Sequence, residues 1–293
     1  MEVAGCRGLC TKGSSQPPND LFASRGRRRY RALGYHAVVK WLSRLATGLF
    51  VVALPVLLVT TNVRFLAGEV RLYERGFREH DAVRRTGLPL TELDRAARDI
   101  VHYFEDDRDL LRIRVTANGE EESLFNARET EHMKDVKSLM QAVFRANEIT
   151  LAFVLTYLAG VFLWAGSRSL RRLAVELLAG MGVGILAVGV VAIFAIVGFE
   201  STWEKFHELF FDSGSWQFNP ATDRLIQMFP EPFWQEEVYI LAGMTAVEAL
   251  VIIAASLACL VMARRPARTP GEPQPIRVRP RRRREITESE PRA

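Results

Sequence analysis

Four stretches of the chain are apolar almost without interruption, at about residues 41–63, 149–166, 173–199 and 237–263. Crossing roughly 30 Å of hydrocarbon takes about 20 apolar residues in a helix, so each stretch predicts a transmembrane helix. Pro55 falls inside the first; membrane helices tolerate proline where neighbours satisfy the freed carbonyl. The segments between the spans are patterned too. In 64–148 the pattern changes twice. Phe65 to Phe104 reads as mostly helical, with Leu93, Ala96, Ala97, Ile100 and Val101 on one face after Thr91. Leu110 to Val115 alternates as a strand does, Asn118-Gly119 marks a hairpin turn, and a second short strand is expected near Ser123–Phe125. A further helix should begin near Arg128, striped by Met133, Val136, Met140, Val143 and Phe144. The predicted fold class is therefore an α-helical membrane protein, a four-transmembrane-helix bundle with a small extracytoplasmic α+β cap.

The 293 residues are 48% hydrophobic yet 25% charged. Both figures hold because apolar and charged positions are segregated, which excludes an ordinary soluble domain and a disordered chain. Three Cys, at 6, 10 and 259, exclude a disulfide framework. Residues 1–44 carry a net +7, the turn 167–172 carries +3, and 264–293 carry +6, whereas 64–148 and 200–236 carry −3 and −5. Arg and Lys near short cytoplasmic loops orient spans. The expectation is a multi-pass protein of the cytoplasmic membrane, with tails 1–40 and 264–293 and the turn 167–172 cytoplasmic. Segments 64–148 and 200–236 then lie outside. Arg27–Arg29 and Arg281–Arg284 read as topology and lipid-surface signals; no nucleic-acid partner is expected. Residues 1–30 and the tail from Pro266 read as disordered.

Segment 200–236 holds nine aromatic residues in 37, mixed with Glu200, Glu204, His207, Asp212 and Asp223. Some of these suit a membrane-interface belt. Their density fits better a re-entrant or interfacial loop closing over a lipid-facing pocket. Glu248, mid-span in an apolar helix, is expected to be hydrogen-bonded within the bundle. Gly180 and Gly184 form a close-packing G-x-x-x-G.

Two of the five His stand in chemically loaded surroundings. His132 has Glu129 and Asp135 three residues to either side, on one helix face, where a carboxylate could orient the imidazole and raise its basicity. His207 lies in Trp203-Glu204-Lys205-Phe206-His207, past the third span. Read from residues alone, each also fits an exposed polar position on an amphipathic helix. A straight helix from Arg128 would lift His132 about 25 Å above Ile149, against about 12 Å for His207 above its span. Cooperation between them then depends on a bend near Asn147 that lays the helix in the interface. No third ligand accompanies them, so neither a metal nor another cofactor is expected. His36 falls in the tail, and His80 and His102 read as structural or solvated.

The order Leu72-Tyr73-Glu74-Arg75-Gly76-Phe77, Thr86-Gly87-Leu88, Tyr103-Phe104, Glu129 to Val136, Phe206 to Phe211, Trp216 and Asp223 to Glu231, set on four spans, resembles a largely uncharacterised bacterial family of four-span integral membrane proteins. That family includes the lipoprotein intramolecular transacylase. The resemblance covers about residues 41–263. It implies movement of an acyl chain from a diacylglyceryl group to the α-amino group of a lipoprotein's N-terminal Cys. It also implies that His132 and His207 are the catalytic pair, one as base and one as acid, with Glu129, Asp135, Asp223 and Trp216 in support. Arg64 and Tyr73 are further pocket candidates. The implied partners are membrane lipids and diacylated lipoprotein N-termini. A non-enzymatic scaffold or lipid-binding protein is the competing class.

Overall fold

A computed structural model describes residues 20–164, 166–212 and 214–264. The bundle consists of α1 (Asp20–Gly68), α5 (Ala127–Trp164), α6 (Gly166–Val197) and α9 (Glu231–Arg264). Each contains a stretch long and apolar enough to cross a membrane, so the chain is a multi-pass membrane protein. Its outer apolar side chains face no protein: Ile196 is 72% and Val197 83% exposed. Small residues set the helix spacing. A Cβ on Gly184 would stand 2.8 Å from Pro55, and one on Gly180 would stand 3.1 Å from the Val51 carbonyl. The G-x-x-x-G pair is thus where α6 crosses α1 most closely.

Two carboxylates inside the bundle are hydrogen-bonded, as a low-dielectric interior favours. Asn62 Nδ2 donates to Glu248 at 2.9 Å and to Thr245 Oγ1 at 3.1 Å, tying α1 to α9. Glu248 is therefore bonded within the bundle, as its sequence position implied. Glu176, which no sequence motif marks, is buried and accepts from Tyr157 Oη (2.8 Å), Arg172 Nε (2.7 Å) and Thr47 (3.1 Å).

Element ends differ from the predicted ones. α1 begins at Asp20, inside the stretch read as disordered, because Arg, Ala and Leu dominate after Pro17-Pro18 and all favour helix. Residues 1–19 and 265–293, about half of the first predicted tail and nearly all of the second, lie outside the described residues. The predicted turn 167–172 is the opening of α6. Its Arg residues raise no barrier to helix, and the chain reverses between the end of α5 at Trp164 and the start of α6 at Gly166. α5 runs unbroken through Asn147, so the expected bend is absent.

Above the bundle sits the cap: α2 (Val70–Glu79), α3 (Ala82–Thr86), α4 (Leu90–Glu105), β1 (Arg114–Ala117) and β2 (Glu120–Ser123). The strands pair antiparallel with Arg114 opposite Ser123 and Ala117 opposite Glu120. Asn118 and Gly119 take φ of 53° and 87°, the positive values that a tight two-residue hairpin turn needs. This turn fixes the register, so β2 comes three residues earlier than predicted. Leu111, Ile113, Val115 and Leu124 point into a core with Phe77, Leu93, Ile100 and Tyr103. Segment 200–236 joins that core. It folds as α7 (Phe199–Phe210) and α8 (Arg224–Met228), and sends Leu225, Met228, Phe229 and Phe233 inward. Gly76 permits this, since a Cβ there would stand 2.4 Å from the ring edge of Phe233. Of the segment's nine aromatic residues, Phe229 and Phe233 lie in that core and Phe218 and Trp234 pack against it, whereas Phe210 is exposed.

Candidate functional site

The site is built where α5 begins. Asn126 Oδ1 accepts the Glu129 backbone N–H at 3.0 Å, and Glu129 returns the bond to the Asn126 N–H at 2.8 Å. This is a reciprocal capping box, which satisfies donors that a helix start leaves free. The other oxygen of Glu129 accepts the Leu225 N–H at 2.6 Å, so the same buried carboxylate fastens α8 to α5. Asp223 completes the stitch, accepting from Arg128 (2.7 Å), Asn126 Nδ2 (3.1 Å) and the Asn219 N–H (2.7 Å). The Asn219 N–H and then Arg128 hold the Asp223 carboxyl below its ordinary range, against burial.

One turn past this anchor, His132 meets His207. Their ring centroids lie 6.1 Å apart with planes 22° from parallel. His132 is 5% exposed and is walled by Phe211 (4.9 Å) and Phe218 (5.3 Å). Trp203 (4.7 Å) and Trp216 (4.9 Å) flank His207. The sequence estimate held these rings apart because it took the outer ends of the second and third spans as level. They are not. α1 contacts Gly184 through Pro55 and Asn147 through Thr61. Those two positions on α1 differ by six residues, or about 9 Å, so Asn147 is level with about residue 190 of α6. From that common level His132 is 15 residues up α5, and His207 is 17 residues up α6 and α7. The two counts agree without any bend.

The segment of α5 before Ile149 carries eight Lys, Arg, Asp and Glu and stands clear of the hydrocarbon. There, burial pushes the His132 imidazole down from 6.5 to about 4, with His207 adding repulsion. Burial also pushes His207 down, opposed by its bond to the Trp203 carbonyl. That bond, 2.8 Å from Nδ1, fixes the tautomer: a carbonyl only accepts, so Nδ1 carries the proton and Nε2 bears the lone pair. Two neutral imidazoles at pH 7, one with a defined basic nitrogen, can exchange a proton with a bound substrate.

The carboxylates flanking His132 in sequence do other work. Glu129 is spent on the cap, and burial pushes its carboxyl up while the two N–H bonds pull it down. Asp135 lines a cleft with Ser138, Leu139, Phe210, Phe211 and Asp212. Burial, Glu131 and Asp212 push its carboxyl up. Among the described residues no hydrogen bond joins either to His132. The structure thus brings His132, His207 and Trp216 together, sets Glu129 and Asp223 as anchors at the start of α5, one turn from His132, and leaves Asp135 in the neighbouring cleft. Arg64 pairs with Glu148 (2.9 Å), and Tyr73 donates to the Ala67 carbonyl (3.1 Å); both lie away from the His pair. Sequence reasoning missed the Trp203 carbonyl, although an acceptor one turn before His207 is what a helix offers. It missed the capping box too, although Asn126-x-x-Glu129 is its signature.

The fold is similar to in meso structures of the membrane-integral lipoprotein intramolecular transacylase Lit from Bacillus cereus. One aligns with TM-score 0.60 at 18% identity, covering 77% of this chain and 95% of that one. A variant of it with a histidine replaced by arginine aligns with TM-score 0.60 at 16% identity, covering 82% and 98%. An uncharacterized protein of Aquifex aeolicus (strain VF5) is 28% identical over 129 residues, 44% of this chain; the chain spans 55% of that relative's length. The family model of the lipoprotein intramolecular transacylase Lit matches residues 48–234, well over half of the chain. By that match, the chain belongs to the lipoprotein intramolecular transacylase family.

Proposed function

We propose that the chain moves an acyl group within a diacylated lipoprotein, from the glycerol ester to the α-amino group of the lipid-bearing Cys. Family membership supports the reaction class, and the stacking of His207 on the buried His132 is the observation that carries it to these residues. The α-ammonium first loses a proton, since only the neutral amine attacks. His207 Nε2 receives the proton released as the C–N bond forms. The imidazolium so created donates it to the glycerol oxygen as the C–O bond breaks. The acid for the second half is made in the first, so neither ring need start charged. His132, stacked on His207, is the second imidazole available to that proton. Donor ester and acceptor amine share one substrate, and positioning supplies much of the acceleration. Purified protein given a synthetic diacyl lipopeptide should leave its mass unchanged while making its N-terminus amine-unreactive. A peptide whose amine stays free sinks the proposal and favours the scaffold reading.

The depressed imidazoles give that assay a pH signature. The substrate amine has an ordinary pKa of about 7.7–8.0, so kcat/KM should rise tenfold per pH unit up to that range and then level off. No decline between pH 7 and 9 is expected, because the neutral rings have no proton left to lose there. A bell peaking near 6.5 would mean that one His starts as imidazolium. Stability has its own window. Between pH 6.5 and about 4 the unfolded imidazole of His132 takes up a proton and the native one does not. Stability is therefore fully present above 6.5 and falls as pH drops through that interval.

The substrate also fixes a side. With both termini in the cytoplasm the cap faces the surface where lipidated N-termini reside, and its partners are lipids and lipoproteins rather than nucleic acid. Single Cys at Asn118 and at Asn219 should react with an impermeant maleimide in intact cells. Protection of both would reverse the orientation.

A further inference from the structure

Two polar atoms beside His207 are buried and lack a hydrogen-bond partner among the described residues: Nδ1 of His132 and Nε1 of Trp216. A buried unpaired donor costs about 1–3 kcal/mol, and folds rarely retain one without a use. The two differ in what they can take. An imidazole nitrogen can donate or accept, but an indole N–H only donates, so an acceptor must complete Trp216. No carbonyl or carboxylate of the described chain does so. The ring that carries it stands 4.9 Å from His207, tilted by 34°, on the segment between α7 and α8. That segment is held in place by the Asn219 N–H bond to Asp223 and by Phe218, which packs against His132 and under the Arg128 guanidinium. The donor is therefore fixed before any ligand arrives.

We infer that Trp216 is a catalytic residue whose indole N–H holds the carbonyl oxygen of the ester under attack. This rests on the acyl-transfer reading of the site. As the amine nitrogen bonds to the carbonyl carbon, the C=O π pair moves onto oxygen, and that oxyanion accepts from Trp216 Nε1. His207 takes the proton from nitrogen. When the pair returns, the C–O bond to glycerol breaks and the proton passes from His207 to the glycerol oxygen. Ester and amine become amide and alcohol with nothing added or lost. A donor fixed in a water-poor wall is most effective here, because it need not reorganise as charge develops.

The test separates a bond made in the transition state from a packing role. Trp216→Phe keeps an aromatic ring and removes the N–H. With the synthetic diacyl lipopeptide, kcat should fall about 10²–10³-fold with KM nearly unchanged, the range for loss of one oxyanion donor. A phosphonate analogue of the acyl ester should bind this variant more weakly by a similar factor. The benzothienyl analogue of tryptophan at position 216, which puts sulfur in place of N–H in a ring of the same shape, should behave alike. It also keeps the test sound if the Phe variant misfolds. Wild-type activity together with a benzothienyl variant of undiminished kcat would overturn this inference alone. So would a loss confined to KM. A wild-type protein that transfers no acyl group would overturn it together with the reading beneath it.

Discussion

His207→Ala should abolish acyl transfer while the protein remains folded in the membrane. Removing a positioned acid–base group commonly costs 10²–10⁴-fold, roughly 3–5 kcal/mol of barrier. Here the same ring takes the proton from the amine and returns it to the glycerol oxygen, so the upper end is expected. Folding should survive, because His207 is only partly buried and its ring bonds to a carbonyl of its own helix. His132→Ala should also be inactive, but it removes a buried ring from between Phe211 and Phe218 and should lower Tm as well. The measurement is product formation by mass spectrometry beside a thermal melt of each detergent-solubilised variant. An active His207→Ala protein would mean that the pair does not handle the proton.

Glu129→Ala should produce the largest loss of stability. The carboxylate is 1% exposed and accepts the N–H groups of Asn126 and Leu225, both of which the mutation leaves without a partner. At about 1–3 kcal/mol for each orphaned donor, the cost is about 2–6 kcal/mol, a large part of what holds a domain folded. Glu129→Gln retains one acceptor oxygen and should lose less. This differs from the role its spacing from His132 implied. Were Glu129 tuning the imidazole, the Ala variant would melt normally and shift the pH profile instead. A normal melt with a displaced profile would therefore contradict the anchoring role.

The spans were legible because an apolar run of about 20 residues rarely occurs outside a membrane helix. The hairpin was legible through Asn118-Gly119, and the two His through the polar and aromatic residues around them. What could not be read was relative height. Ile149 and Phe199 both look like the outer ends of spans, yet the polar contact Asn147–Thr61 and the close approach of Gly184 to Pro55 offset them by about three turns. Hydropathy records where a helix is apolar, not how it is shifted along its neighbour. The carboxylates misled for a related reason. Spacing of three placed Glu129 and Asp135 beside His132, but a residue at the start of a helix is claimed first by the free N–H groups there. Trp216 was legible as a motif member; its orphaned N–H required coordinates.

The central claim is that one bound molecule both gives and receives the acyl chain. Purified protein should be given an equal mixture of two diacyl lipopeptides, one unlabelled and one with deuterium in both its acyl chains and its peptide. Product N-termini are then read by tandem mass spectrometry. The account predicts that every labelled peptide carries a labelled N-acyl chain and every unlabelled peptide an unlabelled one. Labelled acyl chains on unlabelled peptides would show transfer between molecules and contradict it.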